Sequence, residues 1–273
     1  MAHLRIASLW LLILSLSSCG LLPEQEDETK DWSASQFYTR ASTELADGNY
    51  EQAIKYYEML EARFPFGRYA MQAQLDVAYA YYKFEEPESA IAAADRFIKL
   101  NPTDPHVDYA YYLKGLVNFT RNIGFFDRFV PVDAAQRDPG AARRSFNDFA
   151  ELVRRFPNSK YTPDAIQRMV FLRNNLAQYE VNAARYYLKR GALVAAANRA
   201  QYVVDNYQRT PAMKGALKVM IEAYERLGME QLAQDTRRVL ALNEEQGTFK
   251  DFETVREKTL GRKIWDYMGL DTN

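Results

Sequence analysis

GNYEQAIKYYEMLEARFP, residues 48–65, is the stretch from which the fold can be read. Gly48 marks a turn between helices, because glycine takes the left-handed backbone that ends a helix at little cost. Ala53 is small where two helices must cross closely. Tyr57 follows four residues later, on the same face of a helix. Pro65 closes the segment, since a proline cannot continue the hydrogen-bond ladder.

The signature recurs along the chain. YAYYKFEEPESAIAAADRFIKLNP puts Ala90 in the place of Ala53 and Pro102 in the place of Pro65, both 37 residues on. ARRSFNDFAELVRRFP supplies Ser145 and Pro157, RYYLKRGALVAAANRAQYVV supplies Gly191 and Ala196, and EAYERLGMEQLAQDTRRVL supplies Gly228 and Ala233. Self-similarity at such a period marks a repeat architecture. The stretch resembles the second half of a tetratricopeptide repeat. The resemblance implies an all-α chain, a right-handed superhelix of about five helix pairs.

Two spacings break the period. Ala90 to Ser145 is 55 residues, and the surplus falls in TRNIGFFDRFVPVDAAQRDPG, which is rich in turn formers and predicts a loop between the helices of the third repeat. Ser145 to Ala196 is 51 residues, and this surplus falls in a run with no Pro or Gly between Asp164 and Arg190. It predicts one elongated helix in the fourth repeat, about 21 Å longer than its counterparts at 1.5 Å per residue.

Ahead of the repeats stands MAHLRIASLWLLILSLSSCG. One cation, a short apolar run and small residues make a secretory signal, too short to span a bilayer. Leu16-Ser17-Ser18-Cys19 resembles the lipobox of a bacterial lipoprotein, which implies that Cys19 becomes the acylated first residue. Two or more acyl chains hold a protein firmly at a membrane, at about 0.8 kcal/mol per buried CH₂. Gly20 is not Asp, the usual inner-membrane retention mark of such lipoproteins, so the expected address is the periplasmic face of the outer membrane. Residues 1–18 thus read as signal peptide, 19–32 as lipidated N-terminus and flexible tether, and 33–157 as repeats one to three. Residues 158–245 follow as repeats four and five, and 246–273 as a C-terminal segment that docks as a short helix.

Composition narrows the function. Loss of residues 1–18 removes only Arg5 from the charge balance and leaves 34 basic against 36 acidic residues, which gives no electrostatic case for nucleic acid. His106 is the one histidine that remains, and with Cys19 acylated no thiol is left to pair with it. A lone histidine makes no metal site. No phosphate-cradling glycine loop and no Gly-x-Ser-x-Gly elbow occurs. A non-enzymatic chain without cofactor is expected.

Stacked helix pairs line a concave groove with their first helices. Counting back from the small positions, the groove-facing places hold Tyr38 in the first repeat, then Tyr79, Tyr82 and Lys83, then Tyr109, Tyr112 and Phe119. That is an aromatic wall with a cation in it, suited to a peptide because tyrosine is apolar along its ring and polar at its tip. The fifth repeat offers Lys218, Glu222, Glu225 and Arg226 instead.

RFPFGRYA, LDVAYAYYK, DRFIKLNPTDPHVDYAYYLKGL, RDPGAARRSFNDFAELVRRFPNSKY and YYLKRGALVAAANR carry a closer resemblance. They resemble the BamD family, lipoprotein subunits of the β-barrel assembly machinery, over nearly the whole mature chain up to about Gln246. The resemblance implies a periplasmic scaffold that binds the membrane-proximal POTRA domain of BamA and holds BamC and BamE. It also implies receipt of unfolded outer membrane proteins through a terminal signal that ends in an aromatic residue. Arg199 aligns with a family arginine at the BamA contact. A lipoprotein of the same repeat class that coordinates envelope constriction or cell-wall enzymes is the alternative; it lacks the FPFG and NPTDPH runs.

Overall fold

The computed structural model describes residues 28–122 and 139–249. The signal, Cys19, most of the tether, the third-repeat insertion and most of the C-terminal segment lie outside them. Among the described residues there are ten helices and no strand. They are α1 (Ala34–Ala46), α2 (Tyr50–Arg63), α3 (Arg68–Lys83), α4 (Pro87–Leu100), α5 (Val107–Asn122), α6 (Pro139–Arg155), α7 (Thr162–Lys189), α8 (Leu193–Asn206), α9 (Met213–Arg226) and α10 (Glu230–Glu245).

Each helix packs on the next, and α1 also touches α3, α3 touches α5, and α7 touches α9. Short connections make most consecutive helices antiparallel, α5 and α6 being joined through residues 123–138, and odd-numbered helices touch odd-numbered ones. Ala53, Ala90, Ser145, Ala196 and Ala233, the small positions of the five copies, are all fully buried. A larger side chain at any of them would hold its helix pair apart.

Of the four described turns between the two helices of a repeat, three follow the expected chemistry. Gly48, Gly191 and Gly228 have φ of 81°, 75° and 73°. In the second repeat the equivalent place belongs to Glu85, at φ 62°. A side chain there costs about 1 kcal/mol, so packing of α3 on α4 imposes a turn that the local sequence disfavours.

At the N-terminal end, Ser33 caps α1 through a reciprocal box with Gln36. Trp32 covers the first pair, its ring 5.1 Å from Phe37 and 5.7 Å from Tyr56. Thr29 is buried as well. The uninterrupted run after Asp164 lies in a single helix of 28 residues, α7, with Pro163 in its first turn, where its missing N–H costs nothing. At 1.5 Å per residue α7 is about 42 Å long and spans two cores. Its N-terminal half packs with α6 around Phe149, Leu152 and Leu172. Its C-terminal half packs with α8 and α9 around Val181, Ala184 and Ala216.

Candidate functional site

The aromatic positions read from the sequence lie along α1, α3 and α5, and the structure gives most of their polar tips a partner. The Tyr38 hydroxyl donates to Asp76 Oδ2 across α1 and α3 at 2.8 Å. Burial, then the adjacent carboxylate, pushes this phenol well above its ordinary range. Burial also raises the Asp76 carboxyl, against the Tyr38 bond and nearby His106, which lower it.

Tyr79 and Tyr82 are neighbours on α3 with ring centroids 6.2 Å apart. The Tyr82 hydroxyl lies 3.1 Å from Thr120 Oγ1 on α5. Lys83 Nζ sits 5.7 Å from the centre of the Tyr50 ring, a cation on an aromatic face.

Tyr112 stacks on Tyr161 at 4.8 Å and 17°, and its hydroxyl donates to Asp164 Oδ2 at 2.6 Å. Burial first, and then that bond, push the Tyr112 phenol up to about 12. Tyr109 packs against the same Tyr161 ring at 5.4 Å. Phe119 has the Arg168 guanidinium 4.8 Å above its ring and Phe171 beside it at 5.8 Å.

The seven positions are therefore half wall and half framework. Tyr38, Tyr82 and Tyr112 tie one odd-numbered helix to the next through their hydroxyls, while their rings and those of Tyr79 and Tyr109 remain partly exposed. A cleft of about 360 Å³ opens at the end of this surface where α3 and α5 begin. Met71, Leu75, Phe97 and Tyr109 give it apolar sides, and Arg68, Gln72, Asp76, Asp104 and His106 give it polar ones. Only Tyr109 of the seven lines it. The volume accommodates one large side chain of a ligand.

Sequence reasoning missed Arg68, Asp76 and Tyr161. Tyr161 lies in the turn before α7 and stands outside any helical period. Asp76 alone could have been found, as a carboxylate among the apolar residues of LDVAYAYY. His106, considered only as a metal ligand, sits at the cleft mouth with Nδ1 3.0 Å from Asp104 Oδ1. Among the described residues no group of three or more His, Cys, Asp or Glu could hold a metal ion.

Arg199 lies far from this surface, on α8. Its Nη1 donates to Glu180 Oε2 on α7 at 2.6 Å. Arg143 on α6 reaches the other oxygen of Glu180 at 3.1 Å. Glu180 is 1% exposed, whereas the two arginine side chains are about half exposed. The Glu180 bond pushes the Arg199 guanidinium above its usual range. Arg199 is thus a clamp on a buried charge whose outer edge still faces solvent. In the fifth repeat Glu225 pairs with Arg237 on α10 and leaves Lys218, Glu222 and Arg226 together on α9. No described helix is long and apolar enough to cross a membrane.

Comparison with known proteins places these features in a family. The YfiO family, described as an outer membrane lipoprotein, matches residues 30–240. Outer membrane protein assembly factor BamD of Neisseria meningitidis serogroup A is 49% identical over 233 residues, 84% of this chain and 87% of that protein. The protein of the same name from Vibrio cholerae is 38% identical over 85% of this chain and 96% of its own length. That of Haemophilus influenzae is 36% identical over 94% and 97%. Matched over most of its length by this family and by these relatives, the chain belongs to the BamD family of outer membrane lipoproteins.

Proposed function

We propose that this protein is a lipid-anchored scaffold for outer membrane protein assembly. Cys19 is its acyl anchor on the periplasmic face, and about five tetratricopeptide pairs in a right-handed superhelix form its body. The observation that carries the reading is the set of partly exposed tyrosine rings along α1, α3 and α5, with the 360 Å³ cleft beside Tyr109 at one end. A surface of rings with tied hydroxyls offers stacking without a strong polar demand, which fits an extended segment of an unfolded outer membrane protein ending in an aromatic residue. The far half, around Arg199, meets BamA, and BamC and BamE complete the assembly.

The terminal aromatic enters the cleft or lies at the opposite end of the wall, according to which cation takes its carboxylate. Arg68 stands at the cleft and Lys83 at the other end of α3, about 22 Å away at 1.5 Å per residue. A synthetic peptide with a terminal aromatic and a free carboxylate is expected to bind about tenfold more weakly to Tyr79→Ala, through lost stacking and apolar contact. Amidating the peptide should cost about fivefold, the worth of one exposed charge-assisted bond. One of Arg68→Ala and Lys83→Ala should abolish that sensitivity and so fix the direction of the segment. Isothermal titration and melting temperature on the same variants test the site. Undiminished binding by folded Tyr79→Ala protein would remove the groove.

The anchor has its own test. Cys19→Ser protein is expected to fold and to appear in the soluble periplasmic fraction, since the described core uses no cysteine. Tight fractionation with outer membrane in cells lacking its partners would place the anchor elsewhere.

A further inference from the structure

A second cleft, of about 390 Å³, lies between α7 and α9 in the half of the molecule away from the aromatic wall. Its floor is Leu188 and Val219, both buried. Around the floor stand Arg185 and Lys189 from α7 and Lys218 and Arg226 from α9, with Glu222 as the only carboxylate in the lining.

The cations are not consumed by the fold. Among the described residues Arg185, Lys189 and Lys218 make no ion pair. Arg226 is held at the rim by a bond from Nη1 to the Leu188 carbonyl at 3.1 Å, and Glu222 lies 3.4 Å from it. Gly215 keeps this arrangement open. A Cβ there would meet Arg185 Nη2 at 3.0 Å and Val181 Cγ1 at 3.2 Å, so any side chain would push Arg185 or part the helices. Four cations against one carboxylate stand out in a chain whose overall net charge is −1.

The spacing selects the occupant. Arg185 and Lys189 are one turn apart, about 6 Å, and Lys218 and Arg226 about 12 Å, in two rows flanking an apolar floor. One small anion cannot meet both ends of such rows. An extended chain of about four residues can, at roughly 3.3 Å per residue, with carboxylates toward the rows and apolar side chains on the floor. We infer that the cleft between α7 and α9 binds an extended acidic segment of a partner protein, one that alternates carboxylate and apolar side chains. This site is separate from the aromatic wall and neither depends on the other.

The test uses the full soluble chain with Cys19→Ser and a fluorescein-labelled ten-residue peptide alternating Glu and Val, read by anisotropy. Binding should weaken about tenfold in Arg185→Gln/Lys218→Gln and should fall with added salt. Glu222→Gln should tighten it by twofold or more, an outcome that misfolding cannot produce. Tyr79→Ala should leave it unchanged, which separates this cleft from the groove. Equal binding by the double variant, or by a peptide with Gln in place of Glu, would overturn the inference. So would full displacement by low-millimolar inorganic phosphate, the mark of a simple anion site. Stronger retention on phosphatidylglycerol vesicles, lost in the double variant, would assign the cations to a lipid surface instead.

Discussion

Removing both cations from Glu180, in the double variant Arg143→Ala/Arg199→Ala, should destabilise the protein by about 3–5 kcal/mol. Glu180 is 1% exposed, and its two oxygens are held by Arg199 from α8 at 2.6 Å and Arg143 from α6 at 3.1 Å. Each arginine is half in water, so either alone contributes modestly. Loss of both leaves a carboxylate in the interior without a counter-charge, and its desolvation is then uncompensated. The expected fall in melting temperature is about 10 °C for a chain of this size. Adding Glu180→Gln to the double variant removes the charge at nearly constant shape and should restore most of the loss. A double variant that melts with the wild type would mean that water reaches Glu180. The same geometry qualifies Arg199 as a partner contact, because Arg199→Ala alters the α6–α7–α8 junction as well as any surface it presents. Arg199→Lys, which keeps the charge on Glu180 but loses the planar fork, separates the two roles.

Replacing Gly115 should have the next largest effect. Gly115 lies in the middle of α5, where glycine is ordinarily a liability and alanine would be better by about 1 kcal/mol. Its carbonyl accepts the Ser145 hydroxyl of α6 at 2.9 Å, and a Cβ at this place would stand only 2.4 Å from the ring carbons Cδ1 and Cε1 of fully buried Phe149. Gly115→Ala is therefore expected to lower stability by about 1–3 kcal/mol despite its better helix propensity, a shift of about 2–10 °C for a chain of this size. Gly115→Ala/Phe149→Leu should recover part of it, with a favourable coupling in the double-mutant cycle. If Gly115→Ala stabilises the protein, α5 and α6 are not pressed together here.

Ser145 shows why some of this could be anticipated and some could not. Its smallness was legible, since it stands at the crossing position of the third copy and is buried like the alanines elsewhere. Its partner was not, because Gly115 lies 30 residues earlier, beyond the insertion that disrupts the repeat period. Glu85 shows the reverse. The repeat places a turn there, yet a left-handed glutamate could not be read from the residue type, because tertiary packing forces it.

Local periodicity and repetition determined the helix pairs, their small crossing residues, the unbroken α7 and the family, because each is written within a few turns of chain and repeated along it. The tyrosines were placed on the correct helices by the same reasoning. Only the tertiary structure decided what their hydroxyls do, as in Tyr112 bonded to Asp164 from 52 residues away, or Tyr38 to Asp76 from 38. It also decided that Glu180 is buried between two arginines, that Arg68 and Asp76 share a cleft, and that four cations of α7 and α9 converge. Those facts depend on which faces of different repeats meet, and no helical period encodes the angle at which one repeat is laid upon the next.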